Sequence, residues 1–317
     1  MSPSNFVWLC VATLSGTACT LETELASEQQ AVSASCAVRV RTVLGPTPGV
    51  GDALTVDGHG AVYASDFIGT GTVDNPNGDT VSRVDPDGTL RPFVTDIAGP
   101  AGSAFDSHGT FYVAAFLGGQ VLRRDPDGTV RVFADQLEGP VGVAIDRLDR
   151  VYVSVAGLTG PGSRVYRFAP TGEREVFADL AELSIFGLGG LTFDDQGRLY
   201  VANFADGRIV RVKPDGGPAL FATIPDLSFP AVGYLGVVED RLYATGIGRN
   251  QVFAVDPAGT VSVVAGTGEA AEVDGPGPRA AFDGPNGLAV ARGQRGLWIS
   301  DTNARTLRRL DLRPRAH

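Results

Sequence analysis

The chain has 317 residues, a formal net charge of −10 and a pI near 4.8. At 43% hydrophobic and 20% charged residues it is not a disordered composition, and it can bury a substantial core. The excess negative charge would repel a phosphate backbone, which excludes nucleic acid as a partner, and 42 Gly with 20 Pro call for many tight turns, as in a loop-rich all-β fold.

The chain opens with a short apolar run, Phe6 to Gly16, too short to span a bilayer and followed by small residues ending in Ala18-Cys19. Residues 1–19 read as a secretory signal sequence. Ala18-Cys19 resembles a bacterial lipobox, which makes Cys19 the lipidation residue, although Gly16 stands where such boxes usually carry Leu. Without lipidation, Cys19 and Cys36 are free to pair after export. The remaining cysteine is Cys10, so no Cys-x-x-Cys motif exists. Residues 20–37 are polar and lack Gly and Pro, as expected of a linker. The domain is therefore expected outside the cytoplasm, secreted or held to a bacterial membrane only through a lipid.

From residue 38 onward one pattern recurs, clearest in Gly190 to Gly216 (GLTFDDQGRLYVANFADGRIVRVKPDG). Its apolar residues alternate with period two, the mark of half-buried strands. The copies align on Tyr63, Tyr112, Tyr152, Tyr200, Tyr243 and Trp298, at steps of 49, 40, 48, 43 and 55. Six residues before the Tyr stands Asp57, Asp106, Asp146 or Asp194; Val237 breaks that pattern in the fifth copy. A second marker is a Pro-x-Gly turn, as in Asp125-Pro126-Asp127-Gly128, in which Pro presets φ and Gly takes the left-handed position. Four strands per copy and a period in the forties predict a β-propeller of six four-stranded antiparallel blades over 38–317. The sixth copy lacks its outer strand, and 38–44 is an unmatched strand. An open ring would leave unpaired edges, so 38–44 is expected to close blade six as its outermost strand, against 306–311.

The run Val263-Val264-Ala265-Gly266-Thr267-Gly268, then Asp274-Gly275, Ala280-Ala281-Phe282 and Gly284-Pro285-Asn286-Gly287, resembles an NHL-repeat propeller, as does Leu297-Trp298-Ile299-Ser300-Asp301. Residues 38–312 as a whole resemble the six-bladed superfamily of NHL and SMP-30/gluconolactonase-like proteins. The gluconolactonase-like resemblance implies a divalent cation at the axis, held by Glu, Asn and Asp where inner strands begin, with calcium suited to such ligands. Here those positions are Asp52, Ala101, Val141, Gly189, Val232 and Asn286, of which only Asp52 and Asn286 can ligate. The zinc-binding His set of the amidating-lyase branch finds only His59, His108 and His317, two of them in turns at the opposite face. No Gly-x-Ser-x-Gly elbow occurs. The loop 74–79 is rich in oxygen ligands but also in turn formers, without EF-hand spacing.

A second ring of positions, where second strands end, carries Asp66, Ala115, Val155, Asn203, Gly246 and Asp301, followed by Phe67, Phe116, Ala156, Phe204, Ile247 and Thr302. The expected ligand-binding set is Asp52, Asp66, Asn203, Asn286, Asp301 and Asn303, all but Asn203 gathered at the seam of blades six and one. Asp52, Asn286 and Asp301 are the expected metal ligands, with Ca2+ as cofactor, because clustered carboxylates without a basic neighbour invite a cation. The leading expectation is a monomeric binding scaffold for a small molecule or partner protein; the alternative is a calcium-dependent lactone or ester hydrolase.

Overall fold

In the computed structural model, residues 38–67, 69, 78–157, 163–183, 187–293 and 296–312 are described. The signal sequence, the linker, all three cysteines, residues 74–77 of the oxygen-rich loop and His317 lie outside them. The chain begins with β1 (Arg39–Leu44). Blade one is β2 (Leu54–Val56), β3 (Val62–Ser65), β4 (Val81–Val84) and β5 (Leu90–Val94). Blade two is β6 (Pro100–Phe105), β7 (Phe111–Ala115), β8 (Gln120–Arg124) and β9 (Val130–Ala134); blade three is β10 (Pro140–Ile145), β11 (Val151–Val155), β12 (Arg164–Phe168) and β13 (Arg174–Asp179). Blade four is β14 (Leu188–Phe193), β15 (Leu199–Asn203), β16 (Asp206–Val212) and β17 (Pro218–Ser228); blade five is β18 (Val232–Val238), β19 (Arg241–Gly246), β20 (Gln251–Val255) and β21 (Val261–Ala265). β22 (Gly275–Pro276) precedes blade six, which contains β23 (Pro285–Val290), β24 (Gly296–Asp301) and β25 (Thr306–Asp311). Blades one to five are separate four-stranded antiparallel sheets, so the six-bladed propeller read from the sequence is the fold.

The ring closes as expected. β1 pairs antiparallel with β25, placing Arg39 opposite Asp311 and Val40 opposite Leu310, and Val40 is fully buried. One detail differs: β1 is not outermost, because the two residues of β22 pair along its free edge. The Asp274 carboxylate accepts the backbone N–H of Thr42 at 2.8 Å, fastening this flap to the closing strand.

The recurring Asp earns its position through the hairpin between first and second strands. Asp57 Oδ1 accepts the N–H groups of His59 and Ala61 at 2.8 and 2.9 Å, while Oδ2 accepts the Tyr63 hydroxyl at 3.1 Å. Asp146 does the same with Leu148, Arg150 and Tyr152. One carboxylate thus satisfies two turn donors and the hydroxyl of a buried tyrosine, and so ties the turn to the aligned aromatic. The core lies between blades, as where Tyr63 and Phe93, at 4.6 Å between centroids, meet Phe105 and Phe111 of blade two.

Candidate functional site

The inner strands β2, β6, β10, β14, β18 and β23 surround the axis. The face where they begin is here the front, and the face where they end, at the Asp turns, is the rear. Near the front five of the six inner strands, all but β2, carry an irregularity of register, for example between Pro140 and Val143 or between Leu188 and Leu191. Two residues sit in each irregularity: Ala101-Gly102, Val141-Gly142, Gly189-Gly190, Gly233-Tyr234 and Asn286-Gly287; in blade one Asp52-Ala53, just before β2, hold the equivalent place. At this level neighbouring blades touch through backbone. A Cβ on Gly142 would fall 2.9 Å from Ser154 Oγ and 3.0 Å from Gly189 O, so the close approach requires glycine.

Hydroxyls on second strands staple the blades together here. Ser154 accepts the Gly142 N–H and donates to Gly189 O at 2.7 Å. Thr245 accepts the Tyr234 N–H and donates to Asn286 O at 2.5 Å. Ser300 accepts the Gly287 N–H and donates to Asp52 O at 2.5 Å, and Ser65 donates to Ala101 O at 2.8 Å. Each lies two residues beyond an aligned aromatic, a signal present in the sequence but not used in reading it.

Blade five corrects the sequence alignment by one residue. Tyr63, Tyr112, Tyr152 and Tyr200 pair with Thr55, Ala104, Ala144 and Thr192, but Tyr243 pairs with Gly236 rather than Leu235. The hairpin before Tyr243 is one residue shorter. The fifth member of the axial set is therefore Gly233, not Val232, and Tyr234 occupies the position of Ala53, Gly102, Gly142, Gly190 and Gly287. Its side chain reaches from blade five to blade one, where its hydroxyl donates to Asp52 Oδ2 at 3.2 Å. Asn286 Nδ2 donates to Asp52 Oδ1 at 2.5 Å. Asp52 and Asn286 thus meet as expected, joined by a tyrosine that the sequence reading missed. Asp52 is 8% exposed, and burial pushes its carboxyl up to about 7, against the partial relief of the Tyr234 and Asn286 hydrogen bonds. Asn286 Oδ1 is buried without a partner among the described residues.

The other expected residues have partners of their own. Asp301 accepts the Asp283 N–H at 2.7 Å and the guanidinium of Arg308 at 3.0 Å. Both Asp301 and Arg308 are fully buried, and Arg308 also reaches Asp274, the carbonyls of Ala281 and Val273, and the face of Phe282. The expectation of carboxylates without a basic neighbour is corrected here: Arg308 is that neighbour, its side chain turned inward from β25. Burial still holds the Asp301 carboxyl up at about 7, with the Arg308 charge opposing. Asn303 donates to Asp283 Oδ1 at 3.0 Å. Asp66 accepts the Gly69 N–H, and its half-buried carboxyl is raised by burial. Asn203 is engaged locally, donating to Asp206 and accepting the Ala205 N–H.

No group of three or more His, Cys, Asp or Glu among the described residues is placed to hold a metal ion. Calcium asks for about six to eight oxygen ligands, and the Asp52 carboxyl with Asn286 Oδ1 falls well short, so the donors present do not fit that ion. Around the front, Phe67 packs edge-on against Phe116 at 5.7 Å and Phe204 against Phe229 at 5.4 Å, with Phe229 and Leu117 more than half exposed.

No protein-family model matches the chain, and no curated protein matches it. Solved structures do. A gluconolactonase from Xanthomonas campestris is 17% identical with a TM-score of 0.66, covering 87% of this chain and 90% of its own. Virginiamycin B lyase from Staphylococcus aureus is 14% identical at 0.61, covering 87% and 100%. An auxiliary nutrient binding protein from Bacteroides ovatus is 15% identical at 0.70, covering 87% and 77%. At such identities the likeness is one of fold, and it joins enzymes and binding proteins alike.

Proposed function

We propose that this propeller is an extracytoplasmic binding protein whose front face engages a small molecule or a partner protein. The observation that carries this reading is the state of the axial polar groups. Asp52 is committed to Asn286 and to Tyr234, and Asp301 to Arg308, while the surface around them offers aromatic and aliphatic side chains. A face of apolar side chains with few free polar groups favours binding over metal-assisted hydrolysis. The fold shared with a nutrient binding protein supports it, as does the signal-like N-terminus. No helix among the described residues is long and apolar enough to cross a membrane. Retention at a membrane then rests on acylation of Cys19, so Cys19→Ser releases the protein; unchanged membrane association in that variant counts against the anchor.

The second reading, a lactone or ester hydrolase, is favoured by one feature: a carboxyl that titrates near neutrality, at Asp52, is suited to general-base work. The two separate in one experiment. Purified protein is screened by thermal shift against mono- and oligosaccharides, titrated with calcium by calorimetry, and assayed for lactone hydrolysis with and without calcium. Binding predicts saturable stabilisation by a ligand, weakened in Phe229→Ala, and no turnover. Lactone hydrolysis that disappears in Asp52→Ala would reverse the conclusion.

A further inference from the structure

Behind the Asp52–Tyr234 contact the axis is hollow. A cavity of about 340 Å3 runs along it to the rear ends of the inner strands, where Val56, Phe105, Ile145, Phe193 and Val290 form its rim. That volume lies within the range of small-molecule sites, roughly 300–1,000 Å3. We infer that this cavity is a binding site, separate from the front face and entered from the rear, for a compact, uncharged molecule that carries a hydrogen-bonding group.

The repeat itself keeps the space open. With blade five in its observed register, the residue paired with each aligned aromatic is Thr55, Ala104, Ala144, Thr192, Gly236 or Ala289. None is larger than threonine, and all six line the cavity. Interiors normally pack without such voids, and larger residues at these positions would have narrowed or closed it.

The wall then selects the occupant. None of the side chains lining the cavity carries a charge, in a chain whose residues are 20% charged. An ionised guest would give up its hydration with no counter-charge to meet it. More of the exposed wall is polar than apolar, through backbone groups and hydroxyls: Thr55 Oγ1 and Ser103 Oγ lie 2.6 Å apart and share a hydrogen bond, and Thr192 stands across the axis. The floor is Tyr234, the one large side chain in a ring of Gly and Ala. Its hydroxyl is held by Asp52, so the cavity meets the aromatic ring rather than a free phenol. The residues one place nearer the front, Asp52, Gly189, Gly233 and Asn286 among them, do not line the space, which ends at the level of this ring.

The test uses the neutral fluorophore 1-aminoanthracene as probe on the full chain. Saturable fluorescence enhancement is expected with one molecule bound per chain. 2-Naphthol should displace it, and the anionic 2-naphthoate should fail to do so at tenfold higher concentration. Thr192→Phe and Ala144→Phe, each projecting a ring into the cavity, should weaken binding at least tenfold. The competition between neutral and anionic naphthalenes needs only the wild type, so it decides the matter even where a filled variant does not fold. A channel holding only water gives no saturable signal and overturns the inference. Equal displacement by naphthoate overturns it too, and so does binding that survives both fillings but is lost in Phe229→Ala at the front face. Failure here leaves the front-face reading standing, because that reading is measured with other ligands and other residues.

Discussion

Asp52→Asn should make the protein more stable, and by an amount that depends on pH. In the folded chain the Asp52 carboxyl is buried and raised from 3.8 to about 7, whereas the unfolded chain leaves it near its ordinary value. Between those two values the unfolded state releases a proton that the folded state keeps. Stability from this group is therefore complete below about pH 4 and is lost as pH rises through 7. At about 1.4 kcal/mol per pH unit, the wild type gives up about 2 kcal/mol by pH 5 and about 4 kcal/mol above pH 7. Asparagine reproduces the protonated acid: its oxygen can accept the Asn286 amide and its NH2 can face the Tyr234 hydroxyl. The variant should match the wild type near pH 4 and exceed it by several kcal/mol at pH 8. Asp301, also raised to about 7, adds a slope of the same sign to both proteins and cancels in the difference. Urea denaturation across pH 4–8.5 measures the gap. A gap that is flat with pH, or that narrows as pH rises, would refute the assignment of Asp52 as a dry, protonatable group.

The propeller was legible because its signals are local and repeated. The Asp-to-Tyr turn recurs with its spacing intact in four blades, and the unmatched strand at 38–44 could only close the ring. The candidate site was legible in half. Asp52 and Asn286 announce themselves because polar residues there interrupt a row of Ala, Val and Gly. Tyr234 did not, because one residue missing from the hairpin before Tyr243 shifts the register, and alignment on the aromatic absorbed that shift silently. A single-residue slip in a strand carries every side chain to the other face, which is why Val232 rather than Gly233 was placed at the axis. Arg308 was hidden for a different reason. In Thr306–Asp311 two arginines sit side by side and both are buried, Arg309 over Trp298 and paired with Asp311, so the strand pattern alone does not say which of them meets Asp301. The carboxylates of Asp301, on the neighbouring strand, and of Asp274, 34 residues away, make the buried Arg308 guanidinium tolerable there.

Three further outcomes follow from the same contacts. A chain beginning at Gly49 loses β1, exposes the edge of β25 and uncovers the core around Val40; it should aggregate, and size-exclusion chromatography showing a stable monomer would remove the closure argument. Arg308→Met leaves Asp301 buried without its cation and should cost about 3–5 kcal/mol, with much of that recovered in the Arg308→Met/Asp301→Asn double variant; denaturation of the two side by side checks it. Tyr234→Gly restores the small residue that every other blade carries at this point. It removes a buried ring, which should cost about 3–5 kcal/mol near pH 4, and it opens the floor of the axial cavity beneath Asp52. Water then reaches the carboxylate, the burial that raised its pKa is relieved, and its charged form becomes tolerable. The variant should therefore be less stable than the wild type at acid pH but lose less as pH rises to 8, so the two curves converge. Parallel curves would mean that something other than the Tyr234 ring keeps Asp52 dry, and that the fifth blade's departure from the repeat has no electrostatic consequence.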